Sequence, residues 1–143
     1  MRKDEMTTMD LLLEAIGVVS GLIYIGMQIY YGVTYGVNVV QLMLNLLVFV
    51  LMHAGLTLLQ VYPERVNNLS LEICQGKIRR YTVTMIRLIK LIFILCLLFT
   101  SICDVMGIEM EAAYSLIVVG LIIVIALIFE IKIIKLLKQN RVK

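Results

Sequence analysis

Charge is scarce in this chain of 143 residues: Asp, Glu, Lys and Arg together make up 16% of it, against roughly 25% in soluble domains. That shortage, with 62% hydrophobic residues and a mean hydropathy of +1.00, excludes a disordered chain, a nucleic-acid-binding domain and an ordinary soluble enzyme. Cysteine is also sparse. The three present form no C-x-x-C motif and no Cys/His pair at metal-ligand spacing, so a disulfide scaffold and a zinc module are excluded. Cys96 and Cys103 lie about 10 Å apart along one helix, beyond disulfide reach, and all three cysteines are expected to be reduced. The single proline, Pro63, falls between hydrophobic runs, so the chain lacks the Pro-broken midplane helices common in transporters. There is one histidine. There is no P-loop, no nucleotide fingerprint and no H-E-x-x-H. No cofactor or metal is expected, and no enzymatic activity.

What remains is long hydrophobic runs. A bilayer crossing needs roughly 20 largely apolar residues, and four segments qualify: about 11–31, 37–61, 83–103 and 112–134. The expected fold is an all-α membrane protein, a four-transmembrane-helix bundle that forms one integral domain over residues 1–143. The first run is read as a retained span and not a signal peptide. Asp4, Glu5 and Asp10 dilute the positive charge of Arg2 and Lys3, and the run is too long. Thr7 and Asp10 fit a capping box that would start the first helix. Gly32, Gly36 and Asn38 break the first hairpin beside Tyr30, Tyr31 and Tyr35, an interfacial aromatic belt. Gly107 and the stretch Glu109 to Glu111 form the third turn. Between Pro63 and Thr82, Leu69, Leu71, Ile73 and Ile78 alternate with Glu72, Lys77, Arg79 and Arg80. That mixture predicts a short amphipathic helix on the membrane surface, interrupted at Gly76.

Every Lys and Arg lies at the chain ends, in the loop of residues 62–82, or just inside the third span. None lies in the first or third hairpin. By the positive-inside rule, both termini and the basic loop face the cytoplasm of an integral, multi-pass cell membrane protein, and Asp104, Glu109 and Glu111 face outward. The abundance of Ile, Leu and Lys fits a bacterial source of low GC content.

Polar groups within the spans are the functional candidates. On the second span Asn38, Gln41, Asn45, His53, Thr57 and Gln60 fall within about 160° of the helix circumference. Such a polar stripe can line a path for water, an ion or a polar ligand, or face a partner helix, or make interhelical hydrogen bonds. His53 titrates near neutral pH and can gate or relay protons, or pack as a neutral ring. On the first span Glu14 shares a face with Gly17, Gly21, Tyr24 and Gln28. Gly17 and Gly21 form a GxxxG pair, which permits close helix approach within the chain or between copies. Arg87, Lys90, Glu14 and Glu130 sit at similar depth near the inner interface, where they can cluster or where the cations can snorkel toward headgroups.

Two functions fit. The leading expectation is self-assembly into an oligomer that forms a pore or channel, or otherwise alters membrane permeability, with the stripe of the second span on a shared axis and the glycine pair at the contact. The alternative is an accessory, scaffold or immunity-type subunit that binds a larger membrane protein. Expected partners are the lipid bilayer, a second copy or a membrane-protein partner, and a cytoplasmic partner at the basic loop. No nucleic acid is expected.

Overall fold

Local sequence signals start and stop the helices. The computed structural model describes residues 6–142, so Arg2, Lys3, Asp4, Glu5 and Lys143 lie outside the described residues. Four helices follow in order: α1 (Thr8–Tyr35), α2 (Val39–Val61), α3 (Gly76–Val105) and α4 (Ala113–Val142). All four are long and apolar enough to cross a membrane. The capping box at the start of α1 is formed: the Thr7 backbone N–H donates to Asp10 Oδ2 at 2.9 Å, and the Asp10 N–H donates to Thr7 Oγ1 at 3.3 Å. Asn38 caps α2, its Oδ1 accepting from the Val40 N–H at 2.9 Å. Its side-chain oxygen therefore completes a helix terminus, satisfying a backbone donor that the first turn leaves open. At the end of α3, Gly107 adopts φ +68°. The Ile108 N–H donates to the Cys103 carbonyl at 2.9 Å and the Gly107 N–H to the Asp104 carbonyl at 3.2 Å. This is a Schellman closure, which needs a residue tolerant of positive φ at that position.

The segment after α2 departs from the sequence expectation. No separate surface helix forms over residues 63–82. Pro63–Arg65 make one 3-10 turn, turns follow, and α3 begins at Gly76. Gly76 does not interrupt a helix but stands at the start of one, with φ +56°. Residues 76–82 therefore continue into the third span as one helix of 30 residues, about 45 Å long at 1.5 Å per residue. The physical reason lies in burial: Ile78, Thr82 and Val83 pack inside the fold and extend the buried face of α3 below the membrane-spanning stretch. Leu71 and Ile73, outside the helix, remain exposed.

The packing is an open arrangement centred on α3. Helix α3 touches α1, α2 and α4; α1 also touches α2; and α4 touches α3 alone among the described residues. α3 buries ten residues and α4 one, Ile133. In a closed four-helix bundle each helix would have two neighbours, whereas here α1, α2 and α3 form a trio and α4 is appended. The sequence of α4 explains this. From Leu116 to Phe129 it is apolar on every side, so no face of it needs protein cover, and lipid tails solvate it as well as other helices would. The trio buries what lipid cannot solvate, its polar groups.

Candidate functional site

The α1–α2–α3 seam carries polar side chains at both ends and an apolar block between them. At the end that holds the loop before α3, Glu14 of α1 is the hub. Its Oε1 accepts from Arg87 Nε at 3.0 Å and from Gln60 Nε2 at 2.6 Å, and its Oε2 accepts from Lys90 Nζ at 3.1 Å. Arg87 also donates to Asp10 Oδ1 at 2.8 Å, and Lys90 donates to Gln60 Oε1 at 2.9 Å. Arg87 is 2% exposed and Lys90 5%, so neither cation snorkels to the surface. Two cations and two carboxylates from α1 and α3, with an amide from α2, make a charge-assisted network joining three helices. Arg87 and Lys90 lie three residues apart on α3, and Asp10 and Glu14 four apart on α1. Each pair thus occupies one helix face, which is how a parallel α1–α3 contact brings all four together.

Glu130 does not join them. It is half-buried on α4 and makes no hydrogen bond or ion pair among the described residues. Among the described residues α4 touches only α3, so Glu130 has no contact with α1 through its helix. The aromatic pair Tyr81–Phe129, with Lys132 5.8 Å above the Tyr81 ring, occupies the α3–α4 contact there. The carboxylate that completes the cluster is Asp10, which sequence patterning singles out only as a helix cap. In fact it does both: one oxygen caps α1 while the other binds Arg87.

The middle of the seam is closed. Tyr24, Phe49 and Ile94 are buried together, packed against Ile25, Leu97 and Leu98, with the Tyr24 and Phe49 rings 5.1 Å apart. Gly17 and Gly21 face this packing: a Cβ at Gly21 would stand 3.1 Å from Phe49 Cζ, and one at Gly17 would stand 3.9 Å from Leu91 Cδ1. Gly21 thus makes room for the Phe49 ring within the chain, while Gly17 is in ordinary contact with Leu91. His53 stacks on Phe49 at 5.8 Å, and its Nδ1 is buried without a hydrogen-bond partner among the described residues. Thr57 donates to its own helix, to the His53 carbonyl at 2.7 Å, which is the usual recourse of a hydroxyl inside a helix.

At the opposite end the groups bonded to one another across the seam are neutral. Gln28 of α1 donates to Ser101 Oγ of α3 at 2.8 Å. Asn45 of α2 donates to Gln28 Oε1 at 3.3 Å, and Gln41 donates to Asn45 Oδ1 at 3.1 Å. Beside this chain of amides lies a cavity of about 240 Å³, bordered also by Met27, Tyr31, Leu42 and Asp104. The Asp104 carboxylate has no hydrogen bond or ion pair among the described residues.

The polar stripe of α2 is thus divided. Gln60 joins the ionic network, Gln41 and Asn45 the amide network, Thr57 its own backbone, His53 the aromatic block and Asn38 the helix cap. Ser101 and Gln28 carry the other half of the amide network. Gln28 is legible from the sequence through its position on the Glu14 face, while Ser101, a lone hydroxyl in an apolar helix, gives no comparable signal. Among the described residues, no group of three or more His, Cys, Asp or Glu side chains is placed to hold a metal ion. Compared with protein-family models, with curated proteins and with solved structures, the chain has no match.

Proposed function

We propose that this chain is an integral membrane protein acting as a non-conducting accessory, scaffold or immunity-type subunit of a larger membrane assembly, with both termini and the loop of residues 62–82 in the cytoplasm. The observation that carries this reading is where the intramembrane polar groups point. Two of the α2 side chains that would line a pore on a shared axis, Asn45 and Gln60, are bonded to other helices of the same chain, and Tyr24, Phe49 and Ile94 block the seam they border. A chain arranged this way pairs Glu14, Arg87, Lys90, Gln28, Asn45 and Gln60 without further copies, and leaves His53 Nδ1 and Glu130 without a hydrogen bond among the described residues. It offers its surroundings apolar helix faces, above all those of α4, and a cationic end. That end carries Arg65, Lys77, Arg79 and Arg80 beside the basic C-terminal turns of α4. A membrane partner would meet the first surface and a cytoplasmic or anionic-lipid partner the second.

The self-assembling pore is the competing reading. It is favoured by the amide-lined cavity, which opens at one end of the seam as a pore mouth would. Two measurements separate the readings. Purified protein in liposomes produces no ion leak if the accessory reading holds, and a stoichiometric membrane partner co-purifies after mild extraction. A steady leak that Asn45→Leu abolishes overturns it in favour of the pore. Orientation is tested by reporter fusions at the two ends, which should both report the cytoplasm; reporters on opposite sides would overturn the four-span layout.

A further inference from the structure

The cavity at the amide end has an unbalanced charge. No Lys or Arg occurs between Lys3 and Arg65, or between Lys90 and Lys132. The whole end of the fold built by the α1–α2 and α3–α4 turns is therefore without a cation, while Asp104, Glu109 and Glu111 stand there. Of these carboxylates, Asp104 borders the cavity. Its backbone carbonyl is held by the Gly107 N–H at 3.2 Å in the closing turn of α3, so the residue sits on a defined terminus and not in a loose loop. One turn below it on the same helix face, Ser101 is buried and bound to Gln28, and this fixes the cavity floor. The Gln41 and Asn45 amides form the α2 wall. Met27, Leu42 and Val105 supply apolar surface. Tyr31 also borders the cavity, and its ring is in contact with that of Tyr35 at 4.9 Å.

We propose that this cavity binds a small organic monocation, an ammonium carried on a short apolar body. Each wall matches one part of such a molecule. The unpaired Asp104 carboxylate supplies the counter-charge, the amide and hydroxyl oxygens accept the ammonium N–H groups, and the Tyr31 ring adds cation–π attraction. The methionine and aliphatic side chains cover the body. A volume of about 240 Å³ equals that of roughly eight water molecules at about 30 Å³ each, which suits a molecule of a few carbons and excludes a peptide. A divalent metal ion does not suit it, because a single carboxylate borders the cavity and hard divalent ions collect several charged oxygens. The neutrality of the amide network is itself part of the selectivity. A second charge on Gln28 or Asn45 would bind a cation more strongly but would have to be buried in every empty molecule. The proposal stands apart from the accessory-subunit reading, since a subunit can bind a partner with or without a ligand here.

The test uses the full-length protein in nanodiscs of zwitterionic lipid, so that lipid charge attracts no cation. The probes are n-butylammonium, butyrate and n-butanol, titrated by calorimetry and by saturation-transfer NMR. Saturable millimolar binding of butylammonium, with no binding of butyrate and at least tenfold weaker binding of butanol, is expected. Asp104→Asn should weaken butylammonium binding about tenfold or more, while Asp104→Glu retains it and Glu111→Gln, outside the cavity, leaves it unchanged. Circular dichroism of each variant shows whether the helices persist, and the Asp104→Glu result keeps the charge test valid if the Asn variant folds poorly. Equal binding of butylammonium and butanol overturns the proposal. So does an Asp104→Asn variant that binds as the parent does, or a protein that shows no saturable butylammonium binding.

Discussion

The two polar ends of the seam use the same three helices and opposite chemistry. At one end Asp10, Glu14, Arg87, Lys90 and Gln60 meet as a compact ionic network with its cations buried. At the other, Gln28, Gln41, Asn45 and Ser101 meet as neutral dipoles beside an open cavity. Buried charges must be matched to be tolerated at all, so the ionic end draws its cations and carboxylates into direct contact. Neutral amides pay a smaller penalty for an unused lone pair, so the amide end can remain partly unsatisfied and hold space. The contrast assigns alignment of the helices to the first end and ligand contact to the second.

The largest effect that would break this comparison is at Glu14. Glu14→Gln removes the carboxylate that Arg87 and Lys90 share, and removing one partner of a buried pair costs about 3–5 kcal/mol. Unfolding of the detergent- or bicelle-embedded protein in SDS should register a loss of that order. A loss below about 1 kcal/mol, the scale of an exposed ion pair, would mean that the network does not hold the helices. Next comes Gln28→Leu, which removes two interhelical hydrogen bonds and should cost about 0.6–2 kcal/mol per contact at most. If its cost matched that of Glu14→Gln, the distinction between a structural end and a binding end would collapse. Gly21→Val should follow, because Phe49 stands 3.1 Å from the position of a Cβ there. Gly26→Val, where nothing lies within 4 Å, should be close to neutral on the same assay. His53→Phe should be neutral or stabilising, since it removes an unpartnered buried nitrogen and preserves the ring contact with Phe49. The smallest effect is kinetic. Burial pushes the Cys74 thiol above its ordinary range, so in a Cys96→Ser, Cys103→Ser background maleimide should label Cys74 more slowly at neutral pH than it labels a free thiol.

Four apolar stretches were enough to read four long helices from sequence, because a bilayer-length run of apolar residues has few other solutions. The capping box at Thr7 and Asp10 was legible for the same local reason. The site was legible in pieces. Glu14, Arg87 and Lys90 share a depth and therefore a cluster, and Glu14, Gly17, Gly21, Tyr24 and Gln28 share a face. Which helix that face meets is not encoded in periodicity. Glu130 has the right depth but lies on α4, and the uniform apolarity of α4 from Leu116 to Phe129 gives no sign that, among the described residues, it packs on α3 alone. Asp10 was hidden because a residue that caps a helix already has a local explanation. The extension of α3 back to Gly76 was hidden because a mixed stretch of Ile, Lys and Arg reads equally as a surface helix or as the first turns of a buried one.

Thiol crosslinking across the amide network tests the central claim, that the polar seam closes within one chain. In a background with Cys74, Cys96 and Cys103 replaced by Ser, Gln28→Cys and Ser101→Cys are placed on the same chain, or on separate co-expressed chains, and treated with a short bifunctional thiol reagent. The double variant should crosslink internally and migrate as a monomer, and the mixed single variants should give no dimer. A crosslinked dimer from the mixed chains, with no internal crosslink in the double variant, would contradict the account and return these residues to an interface between copies.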